Sequence, residues 1–181
     1  MKKIVLTFGI ISGSILAVLT SLWLFFLDSR DFAVDNGELV GYSTMLLAFI
    51  VVFFGIRQYR EEVGGGTVTF GRAFKVGILM TLITCMMYVA SWEIIYYNFM
   101  PDFADKYAAT QVEKMRAAGD SEAKIAAEQK KMAEFKELYA NPLFNVGITF
   151  LEVFPLGLIV TLVSAAILRK KQVPGMMPSR V

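Results

Sequence analysis

The chain has 181 residues, 56% of them hydrophobic, with a mean hydropathy of +0.55 and a formal net charge of +2. Soluble domains average about 45 to 50% apolar residues, so this composition excludes an ordinary soluble globule and makes lipid the expected solvent. One cysteine, Cys85, and no histidine exclude disulfide frameworks, thiolate metal sites and Cys/His or Ser/His catalytic pairs within one chain.

In chain order, the first apolar run covers residues 4–27 and follows Lys2 and Lys3. A signal-peptide reading fails on length, since a signal h-region is about 7 to 15 residues and ends at a small-residue cleavage site. This run leaves through "LWLFFLDSR" with no such site, so a retained transmembrane helix is expected. Gly9, Gly13, Ala17 and Ser21 recur every four residues along it. Such small side chains let another helix approach closely and gain dispersion contacts in lipid. The spacing leaves open whether that helix belongs to a second copy or to the same bundle.

The second run, 39–56, is just long enough to cross about 30 Å of hydrocarbon at about 1.5 Å per residue. Gly41, Ala48 and Gly55 repeat every seven residues on it. The stretch "RQYREEVGGGTVTFGRAFKVG" follows, with Gly64, Gly65 and Gly66 in succession. It lacks the G-x-x-x-x-G-K-[ST] spacing of a phosphate-binding loop. Glycine flexibility is expected here, then an amphipathic approach to the membrane with Phe70 and Phe74 dipping in and Arg72 and Lys75 at the head groups.

The third run, 76–100, leads into the one sizeable water-soluble segment, 101–141. Phe103, Tyr107, Val112 and Met115, then Ile125, Met132, Phe135 and Tyr139, follow approximately helical spacing, and "AGDSEAK" breaks it. A helical hairpin is expected, with Gly119 ending one arm and Asp120 or Ser121 capping the next. Its eight acids and seven basic residues intermix as on a solvated face. The fourth run, 143–168, carries Gly157, Thr161 and Ala165 at four-residue spacing. The tail 172–181 has two prolines and no periodicity, which predicts disorder.

Lys and Arg near span ends are retained on the cytoplasmic side. Lys2, Lys3, Arg57, Arg60, Arg72, Lys75, Arg169, Lys170 and Lys171 all fall on one side of a four-span arrangement. The opposite loop "DSRDFAVDNGE" holds Asp28, Asp31, Asp35 and Glu38 against Arg30 alone. Both termini are therefore expected in the cytoplasm. The net charge reflects membrane sidedness and gives no support to nucleic-acid binding.

Two carboxylates lie at apolar depth, Glu93 in the third span and Glu152 in the fourth. Counted from the outer ends, both sit roughly 10 to 14 Å deep, so contact between them is geometrically possible. A charge there costs about 2.5 kcal/mol or more, with no Lys or Arg in any span to offset it. Two such carboxylates can share a proton or hold a cation. Asn141, Asn145, Thr149 and Glu152 make a polar stripe on the fourth helix, Tyr96 and Tyr97 stand beside Glu93, and Pro155 follows Glu152. A proton or cation site is one reading. A hydrogen-bonded helix pair is the other, with Trp92, Tyr96 and Tyr97 as an interfacial aromatic belt.

The motifs "FFGIRQYRE", "GGTVTFGRAFKVG", "MPDFADKY" and "NPLFNVGITFLEVFPLGL" resemble the family catalogued as domain of unknown function 4199 (DUF4199), small membrane proteins found mainly in Bacteroidota. The resemblance spans about residues 3–170. It implies a multi-span inner-membrane protein and carries over no activity, substrate, cofactor or catalytic residue.

The expected fold is all-α: a four-helix transmembrane bundle over residues 1–171, with an extramembrane hairpin between the third and fourth spans. The expected function is that of a non-enzymatic accessory or assembly protein of the bacterial inner membrane. Its surroundings would be lipid and, through the hairpin, a membrane or periplasmic partner or a second copy. The competing expectation is a small oligomeric transporter or channel that uses Glu93 and Glu152 for a proton or cation.

Overall fold

The computed structural model describes residues 1–24 and 30–170, and for 30–38 the backbone alone. Six helices follow one another: α1 (Lys2–Leu22), α2 (Arg30–Glu62), α3 (Phe70–Phe99), α4 (Phe103–Ala117), α5 (Glu122–Tyr139) and α6 (Pro142–Leu168). Stretches of α1, α2, α3 and α6 are long and apolar enough to cross a membrane, with Leu39–Glu62 as the apolar part of α2. The chain divides into two compact units, Met1–Tyr88 with the chain from Leu151, and Val89–Phe150.

Two boundaries differ from the sequence reading. The stretch expected as an outer loop, 28–38, is helical from Arg30 onward. At the other end α2 runs on to Glu62, with Arg60 in its last turn complementing the carbonyl end of the dipole. Residues 25–29, the side chains of 30–38 and residues 171–181 lie outside the described residues, so the acidic loop charges, Lys171 and the expected disorder of the tail 172–181 do too.

In the first unit the four apolar helices alternate in direction. Gly9 of α1 meets Ile83 of α3, and Gly13 meets Met87, so those two helices run parallel. Ser12 Oγ of α1 donates to the Ala48 carbonyl of α2 at 2.8 Å, while Phe8 lies against Gly55, an antiparallel pair. Gly157 of α6 faces Phe49 of α2, and Arg60 reaches the Leu168 carbonyl at 3.5 Å, so α2 and α6 are parallel. Small residues at these crossings let backbones approach, which is how helices gain contact energy where lipid is as apolar as the side chains. Gly41 is the exception in the seven-residue series, with nothing within 4 Å of where its Cβ would stand.

The polarity of this unit is inverted relative to a soluble protein. Ser12, Thr81, Thr84, Thr161 and Ser164 are buried, whereas Leu6, Val18, Leu47, Met86 and Ile167 stand more than half exposed. Hydroxyls placed between helices have hydrogen-bond partners, and alkyl chains turned outward suit a lipid solvent. Thr81 and Thr161 hydroxyls meet at 2.8 Å, and Thr84 Oγ1 donates to the Met80 carbonyl at 3.1 Å.

The alternation gathers the basic residues. The start of α1, the end of α2, the start of α3 and the end of α6 share one end of the unit, where Lys2, Lys3, Arg57, Arg72, Lys75, Arg169 and Lys170 are exposed. The glycine run, expected as a flexible connection, forms a defined turn instead. Gly65 and Gly66 take φ of 58° and 82°, values that cost a side-chain-bearing residue about 1 kcal/mol or more. That turn delivers Val68 to Lys170, with which it exchanges both backbone hydrogen bonds, at 3.1 and 2.9 Å.

The second unit holds the ends of α3 and α6 and the hairpin of α4 and α5. The hairpin turn follows from its residues: Gly119, at φ 74°, donates to the Arg116 carbonyl at 3.0 Å and Asp120 to Met115 at 3.1 Å. This is the left-handed glycine stop of a helix. Ser121 precedes α5 as expected, but it caps with its backbone carbonyl, not its hydroxyl. At the next junction Asn141 Oδ1 accepts from Leu143 N at 3.0 Å, and Pro142 supplies a first helical residue that needs no N–H partner.

Candidate functional site

The second unit is organised around aromatic rings. Trp92 packs edge-on to Phe103 at 4.8 Å, Tyr96 edge-on to Tyr139 at 5.3 Å, and Phe135 lies against Tyr139 at 5.2 Å and Phe144 at 6.5 Å. The Trp92 indole N–H donates to the Tyr139 hydroxyl at 2.8 Å, so the buried polar atoms of both rings are satisfied. The helical spacing that suggested a helical hairpin thus fixes its base: Phe103 and Tyr139 meet Trp92, Tyr139 also meets Tyr96, and Phe135 packs behind Tyr139. Lys136 and Asp105 form an ion pair between the two arms.

Within this unit the expected site residues separate by environment. Asn145 is fully buried and Thr149 nearly so, and the Thr149 hydroxyl donates to Asn145 Oδ1 at 3.3 Å. Tyr96 is buried, with Tyr97, Asp105, Glu93 and Lys136 in electrostatic reach, while Tyr97 is about half exposed. Glu93 is partly buried. Two side-chain polar atoms among the described residues are buried without a hydrogen-bond partner in the chain, Glu93 Oε1 and Asn145 Nδ2. Buried polar atoms are normally paired, and an unpaired one costs about 1 to 3 kcal/mol.

Glu152 belongs to the first unit and is exposed on α6. The stripe expected along α6 is therefore not uniformly enclosed: Asn141 and Glu152 are exposed, Asn145 and Thr149 buried. α6 continues through Pro155 without interruption.

The four-residue series on α1 also resolves in two. A Cβ on Gly9 would stand 2.9 Å from Ile83 Cβ, and one on Gly13 would stand 2.6 Å from Met87 Sδ, so both glycines serve packing within the chain. Ala17 and Ser21 are half-buried, and Ser21 Oγ donates to the Ala17 carbonyl at 2.8 Å within the same helix.

One feature of the hairpin escapes a periodicity argument. α4 and α5 leave a groove of about 860 Å³ between them, whose apolar lining is Ala108, Ala109, Val112, Met132 and Ala133. Its polar lining is Glu113, Arg116, Gln129 and the Asp105–Lys136 pair. The alanine-rich composition of both arms was the available signal, but alanine is as common on a solvated helix as in a groove.

An all-helical chain with four membrane-length apolar helices, hydroxyls between them and alkyl chains outside defines the class: a multi-span integral membrane protein. The chain belongs to the family described as Protein of unknown function (DUF4199), which it matches over residues 7–170. No curated protein and no solved structure matches the chain.

Proposed function

We propose that this protein is a non-enzymatic accessory or assembly component of the bacterial inner membrane, and that its hairpin binds an amphipathic helix of a partner protein. The groove between α4 and α5 carries this reading. Its lining alanines permit close approach of a helix about 10 Å across, its apolar side chains suit the i, i+3, i+4 stripe of such a helix, and its polar lining offers charges of both signs. The exposed basic residues at one end of the first unit support a cytoplasmic location for that end, and the three apolar runs that precede the hairpin in the sequence support a periplasmic location for the hairpin.

The test is site-specific photo-crosslinking in cells, with the probe at Ala133 in the groove or at Lys130 on the exposed face of α5. The expected result is a crosslink from position 133 to one amphipathic helix of another membrane or periplasmic protein, absent from position 130 and lost with Ala109→Trp. Equal crosslinking from both positions, or crosslinks only to a second copy of this chain, overturns the reading.

A further inference from the structure

The two orphaned atoms of the second unit are complementary in kind. Asn145 Nδ2 is a donor with no acceptor, and Glu93 Oε1 an oxygen with no donor. Their chain neighbours Phe144 and Trp92 belong to one ring cluster joined through Phe135 and Tyr139. The Asn145 carbonyl oxygen is already engaged by Thr149, so the amide presents N–H groups to any further ligand.

Charge narrows the choice of ligand. In this unit α6 contributes residues 142–150, "PLFNVGITF", with no titratable group, and the end of α3 carries Glu93 and the phenols Tyr96 and Tyr97. From the hairpin, Asp105 and Lys136 come within electrostatic reach of Tyr96, but Lys136 is committed to Asp105. Among the described residues a carboxylate here therefore has no uncommitted cation beside it, and the amide N–H groups of Asn145 repel one. A neutral carboxylic acid needs no countercharge.

We propose that Glu93 and Asn145 form a proton-binding site, in which Glu93 holds its proton as a neutral acid and one buried water links it to Asn145. The water accepts a hydrogen bond from Asn145 Nδ2 and donates one to Glu93 Oε1, so a single molecule satisfies both orphans. Thr149 is a positioning residue, because its hydroxyl holds the amide so that Nδ2 points away from it. Glu152 has no part in the site. The inference does not depend on the partner-binding reading of the hairpin.

Infrared difference spectroscopy on the full-length protein in lipid vesicles tests this, comparing wild type with Glu93→Gln, Asn145→Leu and Glu152→Gln. The expected result is a protonated-carboxyl band at neutral pH that is lost in Glu93→Gln and retained in Glu152→Gln. That band should shift to higher frequency in Asn145→Leu, as a weakened hydrogen bond requires. A water O–H band that responds to oxygen-18 water should disappear in both the Glu93 and Asn145 variants. Glu93→Gln mimics the neutral acid, so it should leave the melting temperature unchanged, which separates loss of the site from loss of the fold. Absence of a Glu93 carboxyl band at neutral pH, a band indifferent to Asn145→Leu, or displacement of the proton by sodium or potassium overturns the proposal; the last would make this a cation site.

Discussion

The indole nitrogen of Trp92 and the hydroxyl of Tyr139, 47 residues apart in the chain, meet at 2.8 Å with both side chains buried. This bond ties the end of α3 to the base of the hairpin. Tyr139→Phe leaves the indole N–H without this acceptor, and a buried donor so stranded costs about 1 to 3 kcal/mol. The variant should lower the melting temperature and speed hydrogen exchange in α5 ahead of α1 and α2. Adding Trp92→Phe to Tyr139→Phe should recover part of the loss, because both polar atoms are then gone.

Thr81 and Thr161 make a second polar contact, at 2.8 Å between α3 and α6. Hydrogen bonds between membrane helices are worth about 0.6 kcal/mol on average and up to about 1.7. A double-mutant cycle with Thr81→Val and Thr161→Val should return a coupling in that range when unfolding is followed in mixed micelles. A coupling indistinguishable from zero would reduce the contact to shape packing.

The glycines divide sharply by position. A Cβ on Gly157 would stand 2.6 Å from both Phe49 Cζ and Thr81 Cγ2, whereas one on Gly41 meets nothing within 4 Å. Gly157→Ala should therefore destabilise by about 1 to 3 kcal/mol through overpacking. Gly41→Ala should be neutral or stabilise by up to about 1 kcal/mol through helix propensity. Paired thermal melts of the two variants check the contrast.

Asp102, at the entry to α4, is exposed, and the hydrogen bond from Lys106 at 2.9 Å holds its carboxyl below the ordinary carboxylate range. A lowered folded-state value means that the pair contributes above the unfolded carboxylate range and that this contribution is lost as pH falls through the lowered value. The screened, exposed geometry keeps the effect small. A carbon-13 titration of Asp102 should show the lowered midpoint in wild type, and Lys106→Met should return it toward the ordinary value.

Much of the architecture was legible because lipid imposes a coarse rule: a helix must be long and apolar enough to satisfy its backbone across the hydrocarbon. That rule located α6 to within a residue and showed that α1, α2 and α3 exist. The Gly119 stop and the hairpin arms were legible for a comparable local reason, since a left-handed residue and a helical ring spacing are written in the chain itself. Boundaries set by polar residues were not. The first turns of α2, with Asp31 and Asp35, are helical although their charges suggested a loop, and the Gly64–Gly66 run folds into a turn that seats Val68 against Lys170.

The sequence by itself determined that this is a multi-span, all-helical chain with a helical hairpin between its third and fourth apolar runs, because those properties depend on length, apolarity and periodicity. Only the tertiary structure decided which polar atoms are enclosed. Position along α6 made Asn145, Thr149 and Glu152 look like one stripe, yet Asn145 and Thr149 are buried and Glu152 is exposed. Tertiary structure likewise assigned Gly9 and Gly13 to packing against α3 and opened the groove between α4 and α5. Burial is a property of neighbouring helices, and no periodicity within one helix records which neighbour covers which residue.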